Sequence, residues 1–594
     1  MDWMKPIERT DIPEGDEWLY EVKYDGFRCE LSWTDKNIIL TSKNNLDISN
    51  KFPEIINWCN DNYDYFNSKL PLKIDGELVI LNHRYQANFA KIQARGRTKS
   101  IDRIKKQASN RPAALMAFDI KEIRGKKLTN NNLSLRKEIL HQLLEPVSDN
   151  EVLNCVEIFS SMKEIQKVIS ASKCEGIVAK RKDSTYQKGK NHHDWFKIKN
   201  WRVVQGILTE YNPSNGYFAV NVLDNDNLIR IGTCKHGLSK ESSETVQKLF
   251  KEQGKLVEGS YHLPPAIASM INTLDLYKGE LREPNFKSIN PNTSYTECTL
   301  DKLQLDMAQI PIETSNTDKY LWPDVFKKKD LLVYIREISP WMLPFLKQRA
   351  LTIIRCPDGI KEKSFFQKSI PNYAPDFLSF DAADDLIVCN QLESLVWLAN
   401  HGSIEYHVPF QRIGQVTPLE IVFDLDPPDK EHFVLAVKAA KLLKQILDDL
   451  NLVSFVKTSG NKGLQIYIPI REGSMTYDET VFFTETVAKT LERAFPNDFT
   501  TERLKKKRKG RLYIDYIQHG QDKTLIAPYS PRMTKEGTVS MPLYWNEVHK
   551  GLEPTAFTIG NAVERLQEVG CPFAGYFETG SKQKLDKVLK MVKN

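Results

Sequence analysis

The sequence predicts a mixed α+β chain of several domains, and three observations predict it. Its 594 residues are too many for one ordinary hydrophobic core and suggest about three or four domains. Residues 202–296 carry short β-type runs at 203–208, 216–222 and 228–233, separated by Asn, Asp, Gly and Pro, as a small closed barrel needs. An OB-fold is the natural assignment. Further on, Leu419-Glu420-Ile421-Val422-Phe423-Asp424-Leu425-Asp426 is an apolar strand with two aspartates on one face, ended by Pro427-Pro428. The chain therefore divides into a domain at 1–201, the barrel at 202–296, a polar linker without periodicity at 297–315, and a domain at 316–594.

The first domain holds five blocks in order: Lys23-Tyr24-Asp25-Gly26-Phe27-Arg28, Asp75-Gly76-Glu77-Leu78, Phe118-Asp119, Glu175-Gly176-Ile177-Val178-Ala179-Lys180 and Trp195-Phe196-Lys197-Ile198-Lys199. A lysine attacks a nucleotide's α-phosphate only when partly deprotonated, so Lys23 needs cationic neighbours or a dehydrated pocket to lower its pKa. Lys197 and Lys199 are two apart in a strand-like run, so their ammonium groups share a face with Trp195 and can converge on one phosphate. Taken singly, each block has a plain reading: a surface turn after Tyr20-Glu21-Val22 for the first, buried core for Phe118. Five in order within fewer than 200 residues make coincidence the poorer reading.

This order resembles the covalent nucleotidyltransferase superfamily of ATP-dependent DNA ligases, RNA ligases and capping enzymes. The resemblance implies that Lys23 takes AMP from ATP as a phosphoramide and passes it to a DNA 5′-phosphate, after which a 3′-hydroxyl displaces AMP and seals the nick. It also implies that Glu175 holds a divalent ion, Mg2+ or Mn2+, and that Lys197 and Lys199 stabilise the charge moved at each step. Arg28 and Glu77 match residues that contact the ribose and neighbouring phosphate, and Phe118 matches an aromatic that stacks on adenine. Lys43 stands in Ser42-Lys43-Asn44-Asn45 where bacterial relatives usually read arginine, so its ribose or phosphate contact keeps the charge and loses the bidentate fork. In such ligases the barrel closes over the site and grips the duplex. Leu281-Arg282-Glu283-Pro284-Asn285-Phe286 resembles the motif at the barrel's end, with Glu283 in place of histidine.

A net charge of +6 with 27% charged residues permits nucleic-acid binding without requiring it. Local clusters say more: Arg95, Arg97, Lys99, Arg103, Lys105 and Lys106 in one stretch, and Lys505-Lys506-Lys507-Arg508-Lys509 in another. Nine cysteines are scattered without a CxxC pair, which excludes the common zinc-ribbon spacing and suits reduced thiols in a cytoplasmic protein. The opening residues lack an apolar signal core and no run reaches the roughly 18 apolar residues of a membrane span, so no membrane association is expected.

The last domain carries a second chemistry. Asp515 lies in Leu512-Tyr513-Ile514-Asp515, another strand, and with Asp424 and Asp426 it makes three acidic groups able to hold two divalent ions and align a 3′-hydroxyl with an α-phosphate. An unpaired carboxylate in an apolar strand costs several kcal/mol, so a purely structural role explains it poorly. Between these strands, Lys457-Thr458-Ser459-Gly460-Asn461-Lys462-Gly463-Leu464-Gln465 is a glycine-bearing turn that can offer backbone N–H groups, Ser459 and Lys462 to a triphosphate.

These elements resemble the archaeo-eukaryotic primase-type polymerase domain found in LigD proteins of bacterial non-homologous end joining, over 316–594. By that resemblance His407, Ser459, Lys462, Arg508 and Arg532 contact the incoming NTP or dNTP, with ribonucleotides preferred. Asn316, Lys319 and one of Lys328 and Lys329 surround a DNA 5′-phosphate. Gln465 replaces the histidine common at its position; it can still donate to a phosphate but carries no charge. The whole chain thus reads as a monomeric LigD-type enzyme that extends and seals double-stranded DNA ends, gaps and nicks, with the bacterial Ku homodimer as expected partner and no phosphoesterase module. Two other readings are a gap-filling ligase for single-strand breaks or excision repair, and an end-binding scaffold whose polymerase half has decayed.

Overall fold

A computed structural model describes residues 3–147, 152–381 and 385–593, and the chain separates into two compact units, Met1–Gln309 and Ile310–Asn594. Among the described residues no helix is long and apolar enough to cross a membrane.

The first unit begins with two sheets. One orders its strands as Ile7–Glu8, Trp195–Lys199, Gly176–Arg181, Trp18–Lys23 and Ile158–Phe159; the other runs through Leu153–Cys155, Ala114–Ile123, Leu72–Val79, Phe27–Trp33 and Ile38–Ser42. Trp18, Tyr20 and Val22 from the first sheet pack on Val79, Ala114 and Met116 from the second, so the sheets share one buried layer. Each strand then has an apolar face committed to that layer or to the helices behind it, which fixes register and with it the direction of every polar side chain.

Residues from 202 onward form the expected β-module: Arg202–Asn212, Tyr217–Asp224, Asn227–Cys234 and Ser260–Thr273 pair antiparallel, with irregularities at Leu208/Glu210 and Val220/Asn221 that bend the sheet. The linker expected at 297–315 needs correction. Leu300–Ala308 is an α-helix capped by Thr299, whose side chain accepts from Lys302 N, and its Leu303 and Met307 enter the core of the β-module. Leu300, Leu303 and Met307 are spaced i, i+3, i+7, a helical stripe hidden by the polar residues around it.

In the second unit a six-stranded sheet runs Phe499–Thr500, Leu512–Asp515, Glu420–Asp426, Leu464–Pro469, Phe455–Thr458 and Pro542–Leu543. Helices Phe433–Asp449 and Tyr477–Ala494 pack on its apolar residues, among them Ile421, Phe423 and Ile466. A second sheet, Phe365–Gln367, Thr352–Arg355, Ser403–Pro409 and Thr524–Ile526, packs with helix Lys328–Leu346 in a separate core.

Candidate active sites

In the first unit the ladder sets Gly176 opposite both Lys23 and Lys199. A Cβ at Gly176 would meet Ile198 O at 2.1 Å, and one at Gly26 would meet Leu78 O at 2.1 Å, so both glycines are needed for the backbones to lie this close. That closeness brings Glu175 to Lys23: Lys23 Nζ donates to Glu175 Oε1 at 2.6 Å. The Lys23 environment departs from the expectation. Burial works to lower its pKa, but Glu175 beside it, with Glu77 and Asp25, outweighs burial and raises it, because its neighbours are carboxylates and not cations.

Lys23 borders a pocket of about 360 Å³ that Arg28, Lys43, Glu77, Phe118 and Lys197 also line. Glu77 faces Arg28 across the ladder; burial, against the pull of Lys23 and Arg28, pushes its carboxyl up to about 8. Arg28 is fixed by Asp75, donating from Nη2 to Oδ2 at 2.8 Å. Phe118 reaches the pocket through an irregular register: Asp75 pairs with Asp119 and Gly76 with Ala117, which leaves Phe118 as the extra residue of a bulge. Its ring also packs edge-on to Trp195 at 6.3 Å between centroids. Lys199 lies outside the pocket lining and donates to Glu283 Oε2 at 2.9 Å, while Glu8 pairs with both Lys197 and Lys199.

Sequence reasoning missed Lys180. It lines the same pocket, its Nζ 4.5 Å from the Phe118 ring centroid, and is held by buried Glu21 at 2.6 Å; burial lowers its pKa to about 8. The alternation in Gly176–Arg181 places Lys180 on one face with Val178, which was the available signal.

In the second unit Asp424 pairs directly with Asp515 across neighbouring strands. Burial first, then Asp515, raises the Asp424 carboxyl to about 7. Asp426 is turned elsewhere, 3.0 Å from Lys462 Nζ and 3.2 Å from Arg508 Nη1. No three acidic or histidine side chains among the described residues converge on one point as a metal cluster. Gln465 Nε2 donates to Asp424 Oδ1 at 3.1 Å.

The remaining groups fall into two sets. Ser459 Oγ accepts from Asn461 N and Gly463 N, closing the turn that carries Lys462. His407 and Arg532 meet on one carboxylate: Glu405 Oε2 lies 3.0 Å from His407 Nε2 and its Oε1 3.2 Å from Arg532 Nε. Glu405, two residues before His407 on a strand, was the second residue missed. Of the residues expected around a 5′-phosphate, Lys319 pairs with Asp358 at 2.5 Å, Lys328 donates to Ser315 O at 2.6 Å and Lys329 to Asp330 at 3.0 Å. Lys328 and Lys329 are buried, Asn316 is exposed, and burial together with nearby Lys319 lowers the Lys328 pKa.

Both sites fit divalent cations. Among the described residues Glu175 Oε2 is buried with no hydrogen-bond partner, and Asp424 and Asp515 face each other with no ion-pair partner, so each site has carboxylate oxygen that a cation would satisfy.

Comparison with known proteins bears on what these sites do. Residues 4–199 match a model described as ATP dependent DNA ligase domain, and residues 327–573 match one described as LigD, primase-polymerase domain. The bifunctional non-homologous end joining protein LigD of Bacillus subtilis is 38% identical over 604 residues, covering 99% of each chain. The chain belongs to the LigD family. A multifunctional LigD of Pseudomonas aeruginosa is 23% identical over 99% of this chain and 74% of its own length. A solved polymerase domain of Mycobacterium tuberculosis Ligase D in complex with DNA is 28% identical, with a TM-score of 0.42, and covers 45% of this chain and 98% of that one. In LigD terms the Lys23 pocket lies in the ligase half and the Asp424–Asp515 pair in the polymerase half.

Proposed function

We propose that the chain rejoins broken DNA ends by two separate chemistries, extension in the second unit and ATP-dependent sealing in the first. The contact between Lys23, which lines the pocket, and Glu175 carries the reading most strongly, since it pairs a nucleophile with a cation-seeking carboxylate.

In the first unit Phe118 and Lys180 would receive adenine, with Arg28, Glu77 and Lys43 at the ribose and phosphates. Glu175 would hold a divalent ion, which would supply positive charge at the α-phosphate. Lys23 loses its proton to solvent and its free amine attacks the α-phosphorus; the N–P bond forms as pyrophosphate leaves, and Lys197 faces the charge that develops. AMP passes to the DNA 5′-phosphate, and the 3′-hydroxyl displaces it.

In the second unit the triphosphate of an incoming nucleotide, a ribonucleotide by preference, competes for Lys462 and Arg508. That turns Asp426 from its two cations toward Asp424 and Asp515. His407, Ser459 and Arg532 complete the triphosphate contacts, and Lys319, Lys328, Lys329 and Asn316 hold the downstream 5′-phosphate. The substrates are double-stranded ends, gaps and nicks, and a bacterial Ku homodimer is the partner that keeps ends together. Incubation with α-labelled ATP followed by a nicked duplex tests the sealing half: label should bind the protein covalently and leave as AMP when the nick closes. Failure to label the protein would reject it.

A further inference from the structure

Four residues form one row across four adjacent strands of the second unit. Asp515 pairs with Asp424, Asp424 with Gln465, and Gln465 with Lys457. Directly opposed residues share a face of the sheet, so the row runs from two carboxylates through an amide to a lysine. Its far end is sealed: Lys457 is 0% exposed and Gln465 2%. Lys457 Nζ donates to Gln465 Oε1 and, at 2.5 Å, to Ser540 Oγ, whose own proton goes to Thr458 O at 3.1 Å. With the amide oxygen committed to Lys457, the amide NH2 is forced to the other side, where it donates to Asp424 Oδ1 at 3.1 Å. No protein hydrogen bond reaches Asp424 Oδ2 among the described residues.

We propose that Gln465, braced by Lys457, is a positioning residue that aims Asp424 at a divalent cation shared with Asp515, and that it does not touch the incoming triphosphate. The proposal rests on the reading of Asp424 and Asp515 as cation ligands. Its physical basis is that a ligating carboxylate whose second oxygen is hydrogen-bonded loses less freedom when it binds metal, and removal of such a partner typically costs about 10–100-fold in metal affinity. The amide oxygen is spent on Lys457 and one N–H on Asp424, and with Gln465 only 2% exposed the second N–H has little access to a phosphate.

The test is Mn2+ binding to the full-length protein without nucleotide, followed by electron paramagnetic resonance of the free ion. Asp424→Asn identifies the site by removing it. Gln465→Leu, close in volume and without either end of the amide, should weaken that site by about tenfold or more, in line with lost outer-sphere support. At saturating Mn2+ the nucleotide KM of Gln465→Leu should stay within twofold of the parent's. Gln465→Leu leaves buried Lys457 with Ser540 Oγ as its remaining acceptor, so the double variant with Lys457→Met, which deletes the whole brace, guards against misfolding and should bind Mn2+ as weakly. Unchanged Mn2+ affinity with a raised nucleotide KM would overturn the proposal and return Gln465 to the triphosphate. If Asp424→Asn removed no Mn2+ site, the underlying reading of the aspartates would itself be rejected.

Discussion

Glu175 bridges two demands: its Oε1 accepts from Lys23 Nζ at 2.6 Å, and its Oε2 is buried with no hydrogen-bond partner among the described residues. The carboxylate favours the Lys23 ammonium, and in the proposed function its other oxygen is the one that would take a cation. Glu175→Ala should therefore have two effects. Loss of a charge-stabilising group lowers the maximal adenylylation rate by on the order of 10²-fold. The pH dependence moves the other way: Glu175 favours the ammonium, so its removal lets Lys23 deprotonate at lower pH, and the residual rate should reach its plateau earlier as pH rises. Label incorporation measured across pH would contradict this if both rate and midpoint were unchanged.

Glu405 is a buried carboxylate serving His407, Arg532 and the backbone N–H of Met533 together. Glu405→Gln should raise the nucleotide KM of primer extension by about tenfold, the effect of roughly 1.4 kcal/mol of lost positioning, with a smaller change in kcat. Glu405→Ala should cost about 3 kcal/mol of stability as well, since Arg532 would lose a buried partner. Steady-state kinetics and denaturant unfolding separate the two, and an unchanged KM in Glu405→Gln would remove Glu405 from the site.

The helix Leu300–Ala308 completes the core of the β-module through Leu303, which is 1% exposed. Leu303→Ala should destabilise the first unit by about 2–4 kcal/mol through the cavity it leaves. Unfolding curves indistinguishable from the parent's would return this segment to the role of a tether.

The blocks assigned to the two sites were legible because the chemistry proposed for them needs fixed spacings along a strand. Lys197 and the Asp424 strand could be read from i, i+2 parity and an apolar frame, Lys23 from the order of five blocks and Glu175 from the family resemblance, and the structure places Lys197 at the pocket and Asp424 opposite Asp515. What depends on pairing between distant segments could not be read. The bulge that frees Phe118, the turn of Asp426 toward Lys462 and Arg508, and the acidic neighbours of Lys23 all arise from strands far apart in sequence. Leu300–Ala308 was hidden for another reason: its apolar stripe of Leu300, Leu303 and Met307 is short and set among polar residues.

Lys319 is paired with Asp358 at the expected 5′-phosphate site. A doubly charged terminal phosphate should compete for that ammonium, so a gap bearing a 5′-phosphate should be extended better than one ending in a 5′-hydroxyl. Lys319→Ala should abolish most of the difference. Asp358→Ala should enlarge it, and added salt should shrink it as counterions return to the phosphate. Equal extension of the two gaps by the parent protein at low salt would remove the phosphate from this site.

The central claim is that the two chemistries occupy separate sites in separate units, and paired assays on two variants test it most directly. Lys23→Ala and the double variant Asp424→Ala with Asp426→Ala, each shown to be folded, would be assayed for protein labelling by α-labelled ATP, nick sealing and primer extension. The account predicts that Lys23→Ala loses labelling and sealing while extension continues, and that the double aspartate variant loses extension while labelling and sealing continue. Loss of all three activities from either variant would contradict it.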